Sequence, residues 1–84
     1  MNEKMKLLYV DSDTKFGQKL LTNFINYNYS IKFVNNIKEA LIELSHNIPD
    51  TIICDINLED GNGLDLIEKI KTSNQNIKTS KHLF

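Results

Sequence analysis

At 84 residues with a net charge of -1 and 25% charged residues, the chain is one domain or less, with a core of marginal size. There is no basic surplus to suggest a nucleic-acid partner, and no apolar run approaches the roughly 20 residues that span a bilayer. A single cysteine excludes an internal disulfide framework and an all-cysteine metal site. The N-terminal MNEKMKLLYV sets basic residues before an apolar stretch, but that stretch covers only Leu7 to Val10 and ends in acid. It is not a signal peptide. A cytoplasmic protein with neither membrane nor nucleic acid as partner is expected.

In chain order, Met5 to Val10 (MKLLYV) is an apolar run closed by Asp11-Ser12-Asp13, a strand followed by helix-start chemistry. Ser12 or Asp13 is suited to cap the next segment, because a short side-chain oxygen accepts the orphan amide hydrogens of a first turn. From Thr14 to about Tyr27 the apolar positions Phe16, Leu20, Leu21, Phe24 and Ile25 describe one face of a helix. A polar-aromatic turn leads to Ser30–Val34, a short alternating strand expected near a sheet edge. Asn35-Asn36 caps a second helix carrying Ile37, Ala40, Leu41 and Leu44, which ends before Pro49 because proline disfavours a helical residue ahead of it.

The stretch Asp50 to Gly63, DTIICDINLEDGNG, organises the rest. Thr51, Ile52, Ile53 and Cys54 form a short apolar run that reads as a strand buried on both faces. It stops on Asp55, and a polar, glycine-bearing loop follows. A third helix starts near Gly63 and is expected to bury Leu64, Ile67 and Ile70, with Asp65, Glu68, Lys69 and Lys71 outward. Acid early and lysine late suits the helix dipole. Thr72 to Asn76 reads as a polar connector, and Ile77–Phe84 as an ambiguous segment that could form a fourth strand.

Alternating strands and helices imply a parallel sheet built from right-handed crossovers. The carboxyl ends of its strands are where such folds bind ligands, and the first and third strand ends bring Asp11, Ser12 and Asp13 beside Asp55. Clustered carboxylates repel unless a cation lies between them. An oxygen-only set with room for water suits magnesium better than zinc. Residue chemistry alone thus suggests a divalent-metal pocket holding a potentially nucleophilic aspartate.

At LLYVDSD and IICDINLEDGNGLDLIEKIK the sequence resembles the receiver domains of two-component response regulators. The second segment is the more specific: an apolar strand, the aspartate, an asparagine two residues on, and Gly-Leu before an amphipathic helix. The resemblance spans nearly all 84 residues, which cover only the first part of a receiver. It implies a flavodoxin-like three-layer α/β sandwich with a parallel sheet of order 2-1-3-4-5. Here that fold is incomplete, with three βα units and part of a fourth strand. By the same resemblance Asp55 is the phosphoacceptor, attacking a phosphohistidine on a sensor histidine kinase or phosphotransfer protein. Such chemistry rests on positioning and charge neutralisation, hence a Mg2+ cofactor. Asp11 matches the first acid of the metal pocket, and the backbone carbonyl of Asn57 matches a third ligand.

Two departures stand out. Ser12 occupies the place of the family's second acid, so it is a weak, uncharged metal donor; Asp13, one residue on, is better placed to cap the helix. The family's switch Ser/Thr closes the fourth strand, a position that falls at or just beyond Phe84, and Thr79 and Ser80 come too early for it. The family's lysine, at the end of a fifth strand, has no counterpart. Plainer roles are expected elsewhere: Cys54 packed in the core, His46 and His82 in solvent or packing, and Glu59 as a solvated loop residue. Tyr27 and Tyr29 are turn or packing residues, and Gly61 and Gly63 turn residues with positive φ and not a phosphate cradle.

A sheet of three or four strands leaves one face partly bare and one edge unpaired. A homodimer is expected to cover that surface, with exchange of Ile77–Phe84 as one route. Two functions remain in view. The favoured one is a phosphoacceptor signalling domain that is not itself an enzyme; the other is a non-phosphorylated pseudo-receiver acting as an interaction or dimerisation module.

Overall fold

Among the described residues the apolar runs become strands, and the apolar faces of two helices pack against them. The computed structural model describes residues 5–13, 15, 29–73 and 78–82; the side chains of Tyr29 and of residues 78–82 are not among those described. In chain order the elements are β1 (Met5–Val10), β2 (Tyr29–Val34), α1 (Ile37–His46), β3 (Thr51–Asp55), β4 (Asn57–Leu58), β5 (Gly61–Asn62), α2 (Gly63–Ser73) and β6 (Lys78–His82). Apart from Lys15, the helix expected over Thr14 to about Tyr27 lies outside the described residues, as does Tyr27.

Four strands form one parallel sheet in the order β2-β1-β3-β6. β2 takes an edge, as its alternation suggests. The ambiguous C-terminal segment becomes β6 on the other side of β3. The start of β3 is locked to β1 by a reciprocal pair: the Lys6 amide donates to Asp50 Oδ2 at 2.7 Å, and the Asp50 amide donates to the Lys6 carbonyl at 2.8 Å. That lock sets a register in which Val10 lies opposite Cys54, so the residues just past both strands emerge side by side.

The sheet buries a different cluster on each face. Leu8, Val10, Val34, Ile52 and Cys54 meet Ala40 of α1 and Leu66, Ile67 and Ile70 of α2, with Ile37 and Leu44 partly buried against them. On the opposite face Leu7 and Tyr9 are buried beside Ile31, Phe33 and Ile53. β3 is therefore lined on both sides, but unequally: Ile52 and Cys54 are fully buried, Thr51 and Ile53 half-buried.

Two helical faces differ from expectation. Leu41 is 39% exposed, because Ala40 is the α1 residue that lies flat on the sheet and the neighbouring position turns outward. In α2 the buried set is Leu66, Ile67 and Ile70, whereas Leu64 is only half-buried in the first turn. The helix also runs on through Thr72 and Ser73, taking the start of the expected connector. Their hydroxyls bond back to carbonyls of the preceding turn, Thr72 to Glu68 and Lys69, Ser73 to Lys69 and Ile70.

Candidate functional site: two buried carboxylates at the strand ends

Asp11 and Asp55 are the buried charged residues among those described, at 2% and 4% exposure. Burying an ionised carboxylate is costly unless its oxygens are engaged. Each has local partners that the chain places automatically. Asp11 follows β1, with its amide donating to the Val34 carbonyl at 3.1 Å. Its Oδ1 accepts from the Asp13 amide at 2.8 Å, and its Oδ2 accepts a longer bond from the Tyr9 hydroxyl at 3.4 Å. Asp55 ends β3, and its Oδ1 accepts from the Asn57 amide at 3.4 Å.

The two charges act on common neighbours, which shows that they occupy one region. The Tyr9 hydroxyl is pushed up to about 12 by burial, then by the charge of Asp11 and its hydrogen bond, then by the charge of Asp55. The Cys54 thiol, in the cluster on the other face of the sheet, is also pushed up to about 12, by burial and then by Asp55 and Asp11. A buried thiol held protonated is a packing residue rather than a nucleophile. Cys54 thus takes its expected core role.

The loop after Asp55 is more ordered than its composition suggests. β4 and β5 form a short antiparallel hairpin, pairing Asn57 with Asn62 and Leu58 with Gly61. Leu58 is 8% exposed and anchors the hairpin in the core, while Asn57 stays exposed at the mouth. The Gly63 amide donates to the Ile56 carbonyl at 2.7 Å, and the Leu64 amide to Asn62 Oδ1 at 2.8 Å. Gly61 has the positive φ expected of it, at 155°.

Gly63 is needed for a different reason. A Cβ there would collide with the Asp55 carbonyl oxygen and come within 2.9 Å of Cys54 Sγ. Its φ is not in the positive region; close approach of α2 to the end of β3 is what excludes a side chain.

Ser12 and Asp13 are exposed beside the buried pair. Among the described residues no group of three or more His, Cys, Asp and Glu side chains is arranged around a metal position; the buried carboxylates there are Asp11 and Asp55. His46 is exposed, its Nδ1 within 2.8 Å of the Ile42 carbonyl. Glu59 is exposed and accepts from Asn36 Nδ2 at 3.4 Å. In β6, His82 is the residue level with Asp55, while Thr79 and Ser80 face Ile52 and Ile53 and so fall short of it, as expected.

Two contributors escaped the sequence reading. Tyr9 was counted only as part of an apolar run, although residues two apart in a strand share a face and Asp11 is two residues on. Asp60 was read only as part of the polar, glycine-bearing loop, and nothing local reveals its partners, which lie more than twenty residues earlier.

With this geometry in view, the chain can be set beside known proteins of similar sequence and fold. The model for the response regulator receiver domain matches residues 7–80. The sensory transduction protein LytR of Staphylococcus epidermidis is 38% identical over 82 residues, spanning 94% of this chain and 31% of LytR. The non-phosphorylated HemR receiver domain of Leptospira biflexa superposes with a TM-score of 0.85 at 28% identity, over 95% of this chain and 64% of that one. A two-component response regulator from Clostridium difficile superposes at 0.76 with 33% identity, over 82% of this chain and 57% of that one. The chain thus spans less than a third of LytR and under two thirds of the HemR receiver. The matched residues hold both strand ends and the loop between β3 and α2, and the chain belongs to the response regulator receiver domain family.

Proposed function

We propose that this chain is a phosphoacceptor, taking a phosphoryl group from a histidine kinase or phosphotransfer protein onto Asp55 in the cytoplasm. The observation that carries this reading is a carboxylate buried at the carboxyl end of an internal parallel strand, beside a second buried carboxylate. A carboxylate is a weak nucleophile, so transfer depends on alignment and on relief of negative charge. An Asp55 oxygen forms the bond to phosphorus as the phosphorus–nitrogen bond to the donor imidazole breaks. The electron pair of that bond and a proton go to the imidazole. The chain serves as acceptor, not as an enzyme that turns over a substrate.

Receiver domains of this family typically bind Mg2+ at this place. The residues here fit such an ion, because the site is built of hard oxygen donors with solvent on its outer side. Asp11 and Asp55 would hold it, with the Asn57 carbonyl as a third donor and the Ser12 hydroxyl as a weak neutral one. A bound Mg2+ supplies neutralisation of the incoming phosphoryl oxygens. Burial first, and then the charges of Asp11 and Asp55, hold the Tyr9 hydroxyl and the Cys54 thiol above their ordinary values; the charge contribution is a negative field that a cation would relieve.

The decisive experiment is intact mass after incubation with acetyl phosphate and Mg2+, beside Asp55→Asn. A single phosphate adduct on the parent chain and none on the variant is expected. A folded parent that stays unmodified would instead support a pseudo-receiver working as an interaction module. We also infer a homodimer, because among the described residues β6 has a neighbour on one side only and Leu41, Ile42 and Ile48 are exposed. Since Lys78–His82 already pairs with β3 of its own chain, segment exchange would have to undo that pairing. Association through intact surfaces is the simpler route.

A further inference from the structure

The first turn of a helix has amide hydrogens with no partner inside the helix. In α1 the Glu39 amide is met by Asn36 Oδ1 at 2.8 Å, an ordinary N-cap. The Ile37 and Lys38 amides are met from far along the chain. Asp60 Oδ1 accepts from Ile37 at 2.8 Å and Asp60 Oδ2 from Lys38 at 3.0 Å. One carboxylate thus spends both oxygens on the amino end of a helix, where the dipole also favours a negative charge. The Ile37 amide bond is the largest cause holding the Asp60 carboxyl below its usual range, with the Lys38 bond adding to it.

Asp60 sits in the turn between β4 and β5, and the other end of that hairpin adjoins Asp55 through the Asn57 amide. Further contacts run the same way. Asn36 Nδ2 reaches Glu59, and Ile37 packs closely enough on Gly61 that a Cβ there would lie 2.7 Å from its Cδ1. The hairpin is therefore held at its base by β3 and at its tip by α1. Because the Asp60 bonds are exposed, water would replace them at small cost in stability. What their loss would remove is the fixed placement of the tip.

We propose that Asp60 is a positioning residue for the phosphoryl-accepting site, setting the pose of Asn57 by clamping the hairpin to the first turn of α1. This rests on the reading of Asp55 as acceptor, and it adds a residue that acts through the loop without touching the phosphoryl group.

The test compares Asp60→Ala with Asn36→Ala. The second removes a cap from the same helix, together with the long Asn36–Glu59 contact, but leaves both Asp60 bonds, so it controls for helix destabilisation and for that weaker tie. Initial rates of adduct formation with acetyl phosphate and Mg2+ are read by intact mass, and backbone amide spectra are recorded for each protein. The expected result is a rate lowered on the order of tenfold in Asp60→Ala, below the roughly 100-fold that a misplacement of about 1 Å can cost, with Asn36→Ala close to the parent. The Asn57 amide resonance should shift in Asp60→Ala only, and Asp60→Asn, which keeps one acceptor oxygen, should recover part of the rate. An Asp60→Ala rate within about twofold of the parent, with the Ile37 and Lys38 amides showing the clamp gone, would overturn the proposal. Should the parent itself take no phosphate, the acceptor reading fails separately. The clamp is then judged on the Asn57 resonance alone, and an unmoved resonance in Asp60→Ala refutes it.

Discussion

At the scale of single residues, the strand ends carry more charge than their surroundings favour, and the neighbours register it. Tyr9 combines a polar and an apolar role: its ring packs 5.8 Å from that of Phe33, and its hydroxyl reaches Asp11. Its folded pKa of about 12 lies above the ordinary 10.0, and that of Cys54, also about 12, lies above 9.0. In both cases the folded chain holds its proton longer than the unfolded one. Their contribution to stability is therefore complete below the ordinary values and is lost as pH rises toward 12. Denaturant midpoints measured from neutral pH upward should stay level until about pH 9 and then fall. Tyr9→Phe should flatten the part of that fall above about pH 10, because it removes one of the two groups among the described residues whose pKa is raised to about 12. A parent whose midpoint is unchanged up to pH 12 would show that these groups are not coupled to folding.

Among the elements, the contact between α2 and the end of β3 decides how Asp55 is presented. Gly63 lets the helix start against the Asp55 carbonyl and Cys54 Sγ, with no room for a methyl group. Alanine is the better helix former by about 1 kcal/mol, so propensity alone predicts a gain from Gly63→Ala. Packing predicts the reverse. The blocking atom is backbone and cannot rotate away, and overpacking of this kind costs about 1–3 kcal/mol or more. Gly63→Ala should lower the melting temperature and also slow phosphoryl uptake, since any relief moves Asp55 or the start of α2. A variant as stable as the parent would mean that the helix start shifts freely. The same contrast explains the two missed faces. Both helices have the spacing of amphipathic helices, yet Leu41 is turned out and Leu66 turned in.

For the whole molecule, the radius of gyration of 12.2 Å is close to the roughly 12 Å of a compact chain this long. A radius of that size bears on how a dimer would form. Pairing of intact, folded chains through the β6 edge or the Leu41–Ile42 surface should give a concentration-dependent equilibrium. Sedimentation velocity across the micromolar range should show the sedimentation coefficient rising with concentration. A monomer that unfolds cooperatively and shows no such rise would remove the dimer from the account. No helix among the described residues is long and apolar enough to cross a membrane.

Sequence by itself determined the positions of β1, β2 and β3, the Asn36 cap of α1 and the alternation of strand and helix over the described residues, and it singled out Asp11 and Asp55, which the fold buries at neighbouring strand ends. These follow from local rules: apolar runs, periodicity, and short polar side chains next to helix starts. Parallel order then follows from connection chemistry, because alternating strands and helices leave few other arrangements. Tertiary structure alone decided what depends on juxtaposition across the chain. The level of His82 with Asp55 comes from strand register, the reason for Gly63 from a close approach, and the exposure of Leu41 from which residues of α1 meet the sheet. The clamp from Asp60 to Ile37 and Lys38 is the clearest case. Its partners are 23 and 22 residues apart, each an unremarkable loop or helix residue in its own neighbourhood. Only folding brings an open pair of amides to a carboxylate with two free oxygens.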